Sequence, residues 1–180
     1  MTLKGKQVAL LIEDDYENLE AWYPYLRLRE AGADVTVIGP GTKDSYLSKE
    51  KFPIKADASI HDVSADDYDG VVVPGGFAPD HMRMEPKMAA FVREIHDAGK
   101  MTAAVCHGGW ILASAGVVSG RKMTGYTPIQ VDVENAGATW VADEPVVVDG
   151  NLITSRTPVD LSHFGAALVD YLESAPVREG

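Results

Sequence analysis

Short apolar runs alternate with longer amphipathic stretches along this chain, and the alternation predicts its architecture. The apolar runs, which predict buried strands, occupy residues 7–12, 34–38, 69–73, 102–105 and 152–155. Stretches with apolar residues at helical spacing, which predict helices, occupy residues 17–31, 86–98, 108–115, 128–135 and 158–172. Apolar strands separated by helices are typical of a parallel sheet covered on both faces. The pattern therefore predicts an α/β protein with a mostly parallel central sheet.

Composition narrows the class of protein. At 180 residues and 46% hydrophobic, the chain is long enough for one globular domain, expected over residues 1–180. No run approaches the roughly 20 apolar residues of a membrane span, and residues 1–6 lack the apolar segment of a signal peptide. The single cysteine excludes an intrachain disulfide, so we expect a cytoplasmic protein. A net charge of −11 argues against nucleic acid and anionic membranes as partners.

Candidate functional residues follow three of the predicted strands. Glu13 comes after the first strand, Gly75 and Gly76 after the third, and Cys106 and His107 after the fourth. Ligands bind parallel sheets at the carboxyl ends of their strands, near the point where the strand order reverses. The fold alone is therefore expected to bring a carboxyl, two glycine N–H groups, a thiol and an imidazole together.

Cys106 stands where a strand changes into a helix through a very tight turn. The run Ala-Ala-Val-Cys-His-Gly-Gly-Trp at residues 103–110 resembles the strand–turn–helix of a nucleophile elbow. A thiol at such a helix N-terminus is expected to have a lowered pKa and to act as a nucleophile. The alternative is that Cys106 is a small buried apolar residue. Gly75, Gly76 and Gly108 would let backbone N–H groups approach closely enough to form an oxyanion hole.

Motifs over nearly the whole chain resemble the DJ-1/PfpI superfamily, in particular its PfpI-like branch. They are Ile-Glu-Asp at 12–14 with Glu20, Val-Pro-Gly-Gly at 73–76, Ala-Pro-Asp at 78–80, Val-Cys-His-Gly at 105–108, and further matches at 120–122, 135–141 and 147–156. The resemblance implies a flavodoxin-like three-layer α/β sandwich with a mostly parallel central sheet, a nucleophilic cysteine in a strained elbow, and a homodimer or higher oligomer.

The resemblance also implies roles for single residues. It places Glu13 against the Cys106 sulfur, where burial and like charge raise a carboxyl's pKa and suit it to proton transfer. It pairs His107 with an acid from a neighbouring subunit, at the position of Asp80. PfpI-like sequences more often carry glutamate there, so the shorter Asp80 leaves its reach to His107 open. Gly109 stands where proline is commoner, which predicts a looser elbow.

Several functions remain open at this stage. The resemblance is compatible with a cysteine peptidase, a glyoxalase or deglycase, and an oxidative-stress sensor or chaperone. One thiol and one carboxyl suit a small aldehyde better than a peptide, so we expect 2-oxoaldehyde chemistry without a cofactor. The histidines show no metal-ligand spacing, so no metal is expected. A receiver domain is disfavoured by Pro74 after the third strand, and a glutamine amidotransferase by the absence of a glutamate two residues after His163.

Overall fold

The structure is a computed structural model that describes residues 2–175. Its strands are β1 (Gln7–Leu11), β2 (Asp34–Gly39), β3 (Ser45–Leu47), β4 (Pro53–Lys55), β5 (Ala58–Ser59), β6 (Gly70–Val73), β7 (Met101–Val105), β8 (Lys122–Met123), β9 (Thr139–Trp140), β10 (Val146–Asp149) and β11 (Leu152–Ser155). Its α-helices are α1 (Asn18–Ala31), α2 (Ala78–Met82), α3 (Pro86–Asp97), α4 (Gly109–Ala115), α5 (Gln130–Asn135) and α6 (Leu161–Ser174).

Seven strands form the central sheet, in the order β10-β11-β7-β6-β1-β2-β5. Every neighbouring pair is parallel except β10 and β11, which form an antiparallel hairpin. Helices α1 and α6 pack together, as do α3 and α4. Right-handed crossovers place these two pairs on opposite faces of the sheet, because β1 to β2 and β6 to β7 run in opposite directions across it. The predicted three-layer α/β sandwich is confirmed.

The strand order reverses between β1 and β6, and this reversal positions the site. Chain segments leaving the carboxyl ends of β1, β6 and β7 diverge there, which opens a crevice at the edge of the sheet. The residues of these strands are almost all fully buried, as their apolar sequences require. The three strand ends that carry the candidate residues are therefore neighbours.

Some elements differ from the prediction. Strand β5 and helix α2 are absent from the predicted pattern, because each has only a few residues and lies in a polar or proline-containing stretch. Residues 158–160 form a 3₁₀ turn, so the last helix begins at Leu161. Helix α1 runs through Pro24, whose missing N–H leaves the carbonyl of Glu20 without its usual helical donor.

Candidate active site

Cys106 occupies the sharp turn between β7 and α4. Val105 has extended backbone with φ −127°, and Cys106 then adopts a left-handed conformation with φ 59°. This conformation is uncommon for a residue with a side chain and costs of the order of 1–3 kcal/mol. Cys106 to Gly108 form one 3₁₀ turn, and α4 follows directly. The backbone therefore has the strained strand–turn–helix form predicted for a nucleophile elbow.

The carboxyl beside the thiol belongs to Glu20, and the prediction that Glu13 fills this position is wrong. Glu20 is fully buried in the first turn of α1, and its carboxyl lies beside the Cys106 thiol, close enough for its charge to act on that thiol. Its Oε2 also accepts the backbone N–H of Gly75 at 2.9 Å. The first turn of α1 therefore carries Glu20 to the carboxyl ends of β6 and β7, where Gly75 and Cys106 lie.

Glu13 points to a different side of the strand end. Its Oε1 accepts the backbone N–H of Asp14 at 2.7 Å, and its charge acts on Lys43. The residues around the thiol do not include it. The chain after β1 runs beside the β3–β4 hairpin, where Asp15 donates its N–H to the carbonyl of Leu47 at 2.7 Å and Oδ1 of Asp14 accepts the N–H of Leu47 at 2.9 Å.

The pKa values of Glu20 and Cys106 are both raised. Burial, joined by the nearby Glu17 carboxylate, raises the pKa of Glu20 to about 8. Burial, joined by the Glu20 carboxylate, raises the pKa of the Cys106 thiol to about 12. The predicted lowering of the thiol's pKa is wrong, because the thiol is 8% exposed and lies against an acid. Two N–H groups that point at the sulfur, from His107 and Gly76, oppose the rise without cancelling it.

Gly75 allows the thiol and the carboxyl to meet. A Cβ at this position would lie 2.4 Å from Oε2 of Glu20 and 2.7 Å from Cβ of Cys106, so a side chain would force the two apart. Its N–H is donated to Glu20. The prediction that Gly75 supplies an oxyanion donor is therefore wrong, and its role is to fit and bind Glu20.

Gly76 and Gly108 shape the backbone around the sulfur in different ways. Gly76 has φ +75°, and its N–H points at the Cys106 sulfur. Gly108 is buried, and a Cβ there would lie 2.7 Å from the carbonyl oxygen of Val73, so it lets the elbow pack against β6. The oxyanion role of these two residues stays a prediction.

His107 lies beside the sulfur within an aromatic wall. Its Nδ1 is 3.3 Å from Sγ of Cys106, and its ring centroid is 4.9–5.8 Å from those of Tyr126, Trp110 and Phe77. Burial, assisted by the positive charge of Lys49, lowers the pKa of His107. At neutral pH its imidazole is therefore uncharged and can either accept or donate a proton.

Asp80 lies apart from His107 in this protomer. It is exposed in α2 and makes no hydrogen bond or ion pair with His107 among residues 2–175. The predicted contact between Asp80 and the histidine of a neighbouring subunit stays a prediction.

Cys106, Glu20 and His107 line one cavity of about 380 Å³ at the edge of the sheet. Its lining residues are Glu17, Glu20, Lys49, Gly76, Phe77, Cys106, His107, Tyr126, Thr157 and Pro158. Cavities of about 300 Å³ and more are typical of small-molecule sites.

Within residues 2–175, no cluster of His, Cys, Asp or Glu has the arrangement of a metal site. No helix in the same range is long and apolar enough to cross a membrane.

The fold and the site together define an α/β protein with a cysteine elbow and an adjoining acid. A family model for the DJ-1/PfpI family matches residues 6–171. The chain belongs to the DJ-1/PfpI family.

Relatives of known name agree with this assignment. The chain is 41% identical over 155 residues to Deglycase PfpI of Pyrococcus furiosus, covering 86% of this chain and 92% of the relative. It is 38% identical over 170 residues to General stress protein 18 of Bacillus subtilis, covering 94% and 99%.

A solved structure shows the same fold within a larger protein. A two-domain protein from Anabaena variabilis, with DJ-1/ThiJ/PfpI-like and ferritin-like domains, is 42% identical with a TM-score of 0.90. The match covers 93% of this chain and 48% of that one, so the chain spans about half of the two-domain protein.

Proposed function

We propose that this protein is a stress-protective, cysteine-dependent enzyme. It converts small reactive 2-oxoaldehydes such as methylglyoxal, and their adducts with amines and thiols, to 2-hydroxy acids. The observation that carries this proposal is the Cys106 thiol beside the buried Glu20 carboxyl in one cavity. A nucleophile beside a group that transfers protons is the minimum this chemistry needs. The names of a deglycase and a general stress protein among the relatives also support it.

The first step joins Cys106 to the substrate. After the pair has lost one proton, the Glu20 carboxylate takes the thiol proton while Sγ bonds to the aldehyde carbon. The N–H groups of Gly76 and His107, which point at the sulfur, lie beside the oxygen that becomes negative. Glu20 then returns the proton to that oxygen, which gives a hemithioacetal. With an adduct as substrate, Sγ displaces the amine or thiol, which leaves with the proton.

The second step moves a proton and an electron pair between neighbouring carbons. A base removes the proton from the carbon bonded to Sγ, and the resulting enediol accepts a proton on the adjacent carbon. The first carbon is oxidised and the second reduced, so the electrons balance within the substrate and no redox cofactor is required. His107 suits this task because its imidazole is neutral and lies 3.3 Å from the sulfur. Glu20 is the alternative base.

Hydrolysis completes the cycle. The oxygen of a water molecule bonds to the thioester carbon, the carbon–sulfur bond breaks, and Cys106 regains its proton. The product is a 2-hydroxy acid.

The direct test compares purified wild type with Cys106→Ala and Cys106→Ser. Each is assayed with methylglyoxal, with its adducts on amines and thiols, and with a panel of peptides. We expect wild type to form the 2-hydroxy acid and both variants to lose at least 10²-fold in kcat. Peptide cleavage without aldehyde conversion would replace this proposal with a cysteine peptidase. Peroxide oxidation of Cys106 without any turnover would leave a sensor or chaperone.

We also propose that the protein assembles at least as a homodimer. Phe77 and Met84 are 55% and 86% exposed on either side of α2, close to the exposed Asp80. Exposed apolar side chains around a polar group are typical of a subunit contact. In the assembly, Asp80 would lie against the His107 of the second copy and orient its imidazole.

A further inference from the structure

One positively charged side chain lines the cavity beside the thiol, and the proposed function gives it no role. Lys49 belongs to the turn between β3 and β4, where its backbone N–H donates to the carbonyl of Tyr16 at 3.0 Å. Oγ of Ser48 accepts the N–H groups of Glu50 and Phe52, which fixes the same turn. The backbone of Lys49 is therefore held in place while its side chain faces the cavity.

Among residues 2–175, the ammonium of Lys49 has no counter-ion within ion-pair distance. Lys43 pairs with Asp14 and Lys51 with Asp15, yet Lys49 makes no ion pair or side-chain hydrogen bond with any residue in the range 2–175. Its charge nevertheless acts on Glu20 and His107. An unpaired cation within electrostatic reach of the reacting groups is available to bind an anion.

Glu17 also lines the cavity and opposes the binding of an anion near its carboxylate. Its Oε2 accepts the backbone N–H of Glu20 at 2.8 Å, and its charge contributes to the raised pKa of Glu20. An anionic group on a substrate would be repelled by Glu17 and attracted by Lys49. The net charge of −11 repels anions from the protein as a whole, so a local cation is needed to attract an anionic substrate into the cavity.

The cavity is also larger than a free 2-oxoaldehyde requires. Its volume of about 380 Å³ has room for much more than methylglyoxal, which has no charged group for Lys49 to bind. Adducts of a 2-oxoaldehyde with the amine or thiol of an amino acid are larger and carry a carboxylate.

We infer that Lys49 binds a carboxylate on the substrate, so that the preferred substrates are carboxylate-bearing adducts of 2-oxoaldehydes. This inference rests on the proposed function. Lys49 is then a specificity-determining residue that positions the adduct with its reactive carbon at Sγ of Cys106. It takes no part in the proton transfers.

The first test needs no turnover. Cys106 is the only cysteine, so alkylation by iodoacetate and by iodoacetamide reports on one thiol with reagents that differ in charge. At pH 9, we expect Lys49→Met to lower the iodoacetate-to-iodoacetamide rate ratio about three- to tenfold, and Lys49→Glu to lower it further. The exposed Lys55 in β4 provides the control, since Lys55→Met should leave the ratio unchanged. Using the ratio removes any effect of Lys49 on the reactivity of the thiol itself.

The second test measures specificity. The hemithioacetals of methylglyoxal with N-acetylcysteine and with N-acetylcysteine amide differ in one carboxylate. We expect wild type to favour the carboxylate through KM and Lys49→Met to lose the preference. The ratio of the two kcat/KM values within each protein is compared, so that any effect of Lys49 on Glu20 or His107 cancels.

The outcomes separate this inference from the function on which it rests. Equal ratios in wild type and Lys49→Met, or equal conversion of both hemithioacetals by wild type, would overturn the role of Lys49 and leave the proposed function standing. A changed alkylation ratio without turnover of any aldehyde would instead overturn the proposed function and retain Lys49 as an anion site. If neither reagent alkylates Cys106, both proposals are overturned, because both need an accessible thiol.

Discussion

At the scale of single residues, the chemistry of the cavity depends on the protons of two groups, Glu20 and Cys106. Neither group is ionised in most molecules at pH 7, because burial raises both pKa values and the two charges would repel each other. Loss of the first proton near pH 8 leaves the Glu20 carboxylate beside the protonated Cys106 thiol. This singly protonated pair contains both the nucleophile, Cys106, and the base that can deprotonate it, Glu20.

Glu20→Gln tests this role of the carboxyl. The amide keeps the size of the side chain and can still accept the N–H of Gly75, yet it cannot take the thiol proton. We expect kcat for methylglyoxal to fall about 10²–10⁴-fold, the usual contribution of a positioned acid–base group. Steady-state kinetics with circular dichroism measures the loss and checks the fold.

Glu13→Gln is the matched control, since it makes the same chemical change outside the cavity. Its kcat should stay within a few-fold of wild type. Comparable losses in the two variants would contradict the assignment of Glu20 as the base.

The sequence identifies Cys106 as the nucleophile but does not identify Glu20 as its partner, and the reason is physical. Cys106 is marked by its own neighbours, because glycines and a change from strand to helix surround it. Glu20 was among the motifs of the resemblance but received no role there. The chain's own pattern marks it only by position, since it shares the buried face of α1 with Pro24 and Leu28 at four-residue spacing. An acidic residue on that apolar face was the available signal. The position of Lys49 offered none, because it depends on how a distant hairpin folds over the sheet edge.

At the scale of elements, the segment after β1 holds the segment after β6 in place. Tyr16 forms β-bridges with both Gly76 and Ser48. Phe77 donates its N–H to the carbonyl of Asp15 at 2.9 Å, and Glu17 donates to the carbonyl of Gly75 at 3.1 Å. These contacts aim the N–H groups of both glycines, one at Glu20 and the other at the sulfur.

Gly76→Ala should break this arrangement. Its φ of +75° is strained for alanine, and the new Cβ would lie 2.3 Å from the backbone oxygen of Asp15. Strain and collision together should lower the free energy of unfolding by roughly 2–4 kcal/mol. Urea denaturation measures the change.

Gly120→Ala separates the effect of backbone strain from the effect of the collision with Asp15. Gly120 has a similar φ of +73° with nothing within 4 Å of the new Cβ, so it should lose only about 1 kcal/mol. Equal losses in both variants would show that contact with Asp15 does not hold Gly76 in place.

The elements themselves were largely predictable. The long apolar strands and the helices with proline at their start and glycine at their end carry local signals, as at Pro86 and Gly99. Helix α2 and strand β5 were not predictable, because their few residues are ordered by the elements packed around them rather than by their own periodicity.

At the scale of the whole molecule, the protonation of Glu20 links the site to stability. The pKa of Glu20 rises from 4.5 to about 8 on folding, so between these values the unfolded chain has lost a proton that the folded chain retains. The contribution of Glu20 to stability is therefore lost as pH rises from about 4.5 to 8, by up to roughly 1.4 kcal/mol per pH unit. Glu20→Gln should abolish this contribution.

Urea denaturation of wild type and Glu20→Gln at pH 5 and pH 8 measures the linkage. The variant should gain stability relative to wild type at the higher pH. A difference between the two proteins that does not change with pH would contradict a neutral Glu20 in the fold.

The proposed assembly gives a second prediction at this scale. Met84→Asp places a charge on the exposed apolar surface beside α2 and should shift the protein toward monomer, with a loss of activity that follows the loss of assembly. Analytical ultracentrifugation at assay concentration measures it, with Val148→Asp, at another exposed apolar position, as the control. A fully active wild-type monomer would contradict the proposal that a second copy completes the site.

The most direct test of the Glu20–Cys106 pair is the rate of Cys106 alkylation by iodoacetamide from pH 6 to 10. In wild type, we predict a rate that rises about tenfold per pH unit and levels off near pH 8, where the pair loses its first proton. In Glu20→Gln, this step should disappear and the rise should continue above pH 9, because the buried thiol must ionise without a base. A wild-type profile without a step between pH 7 and 9, or the same step in both proteins, would contradict the pair.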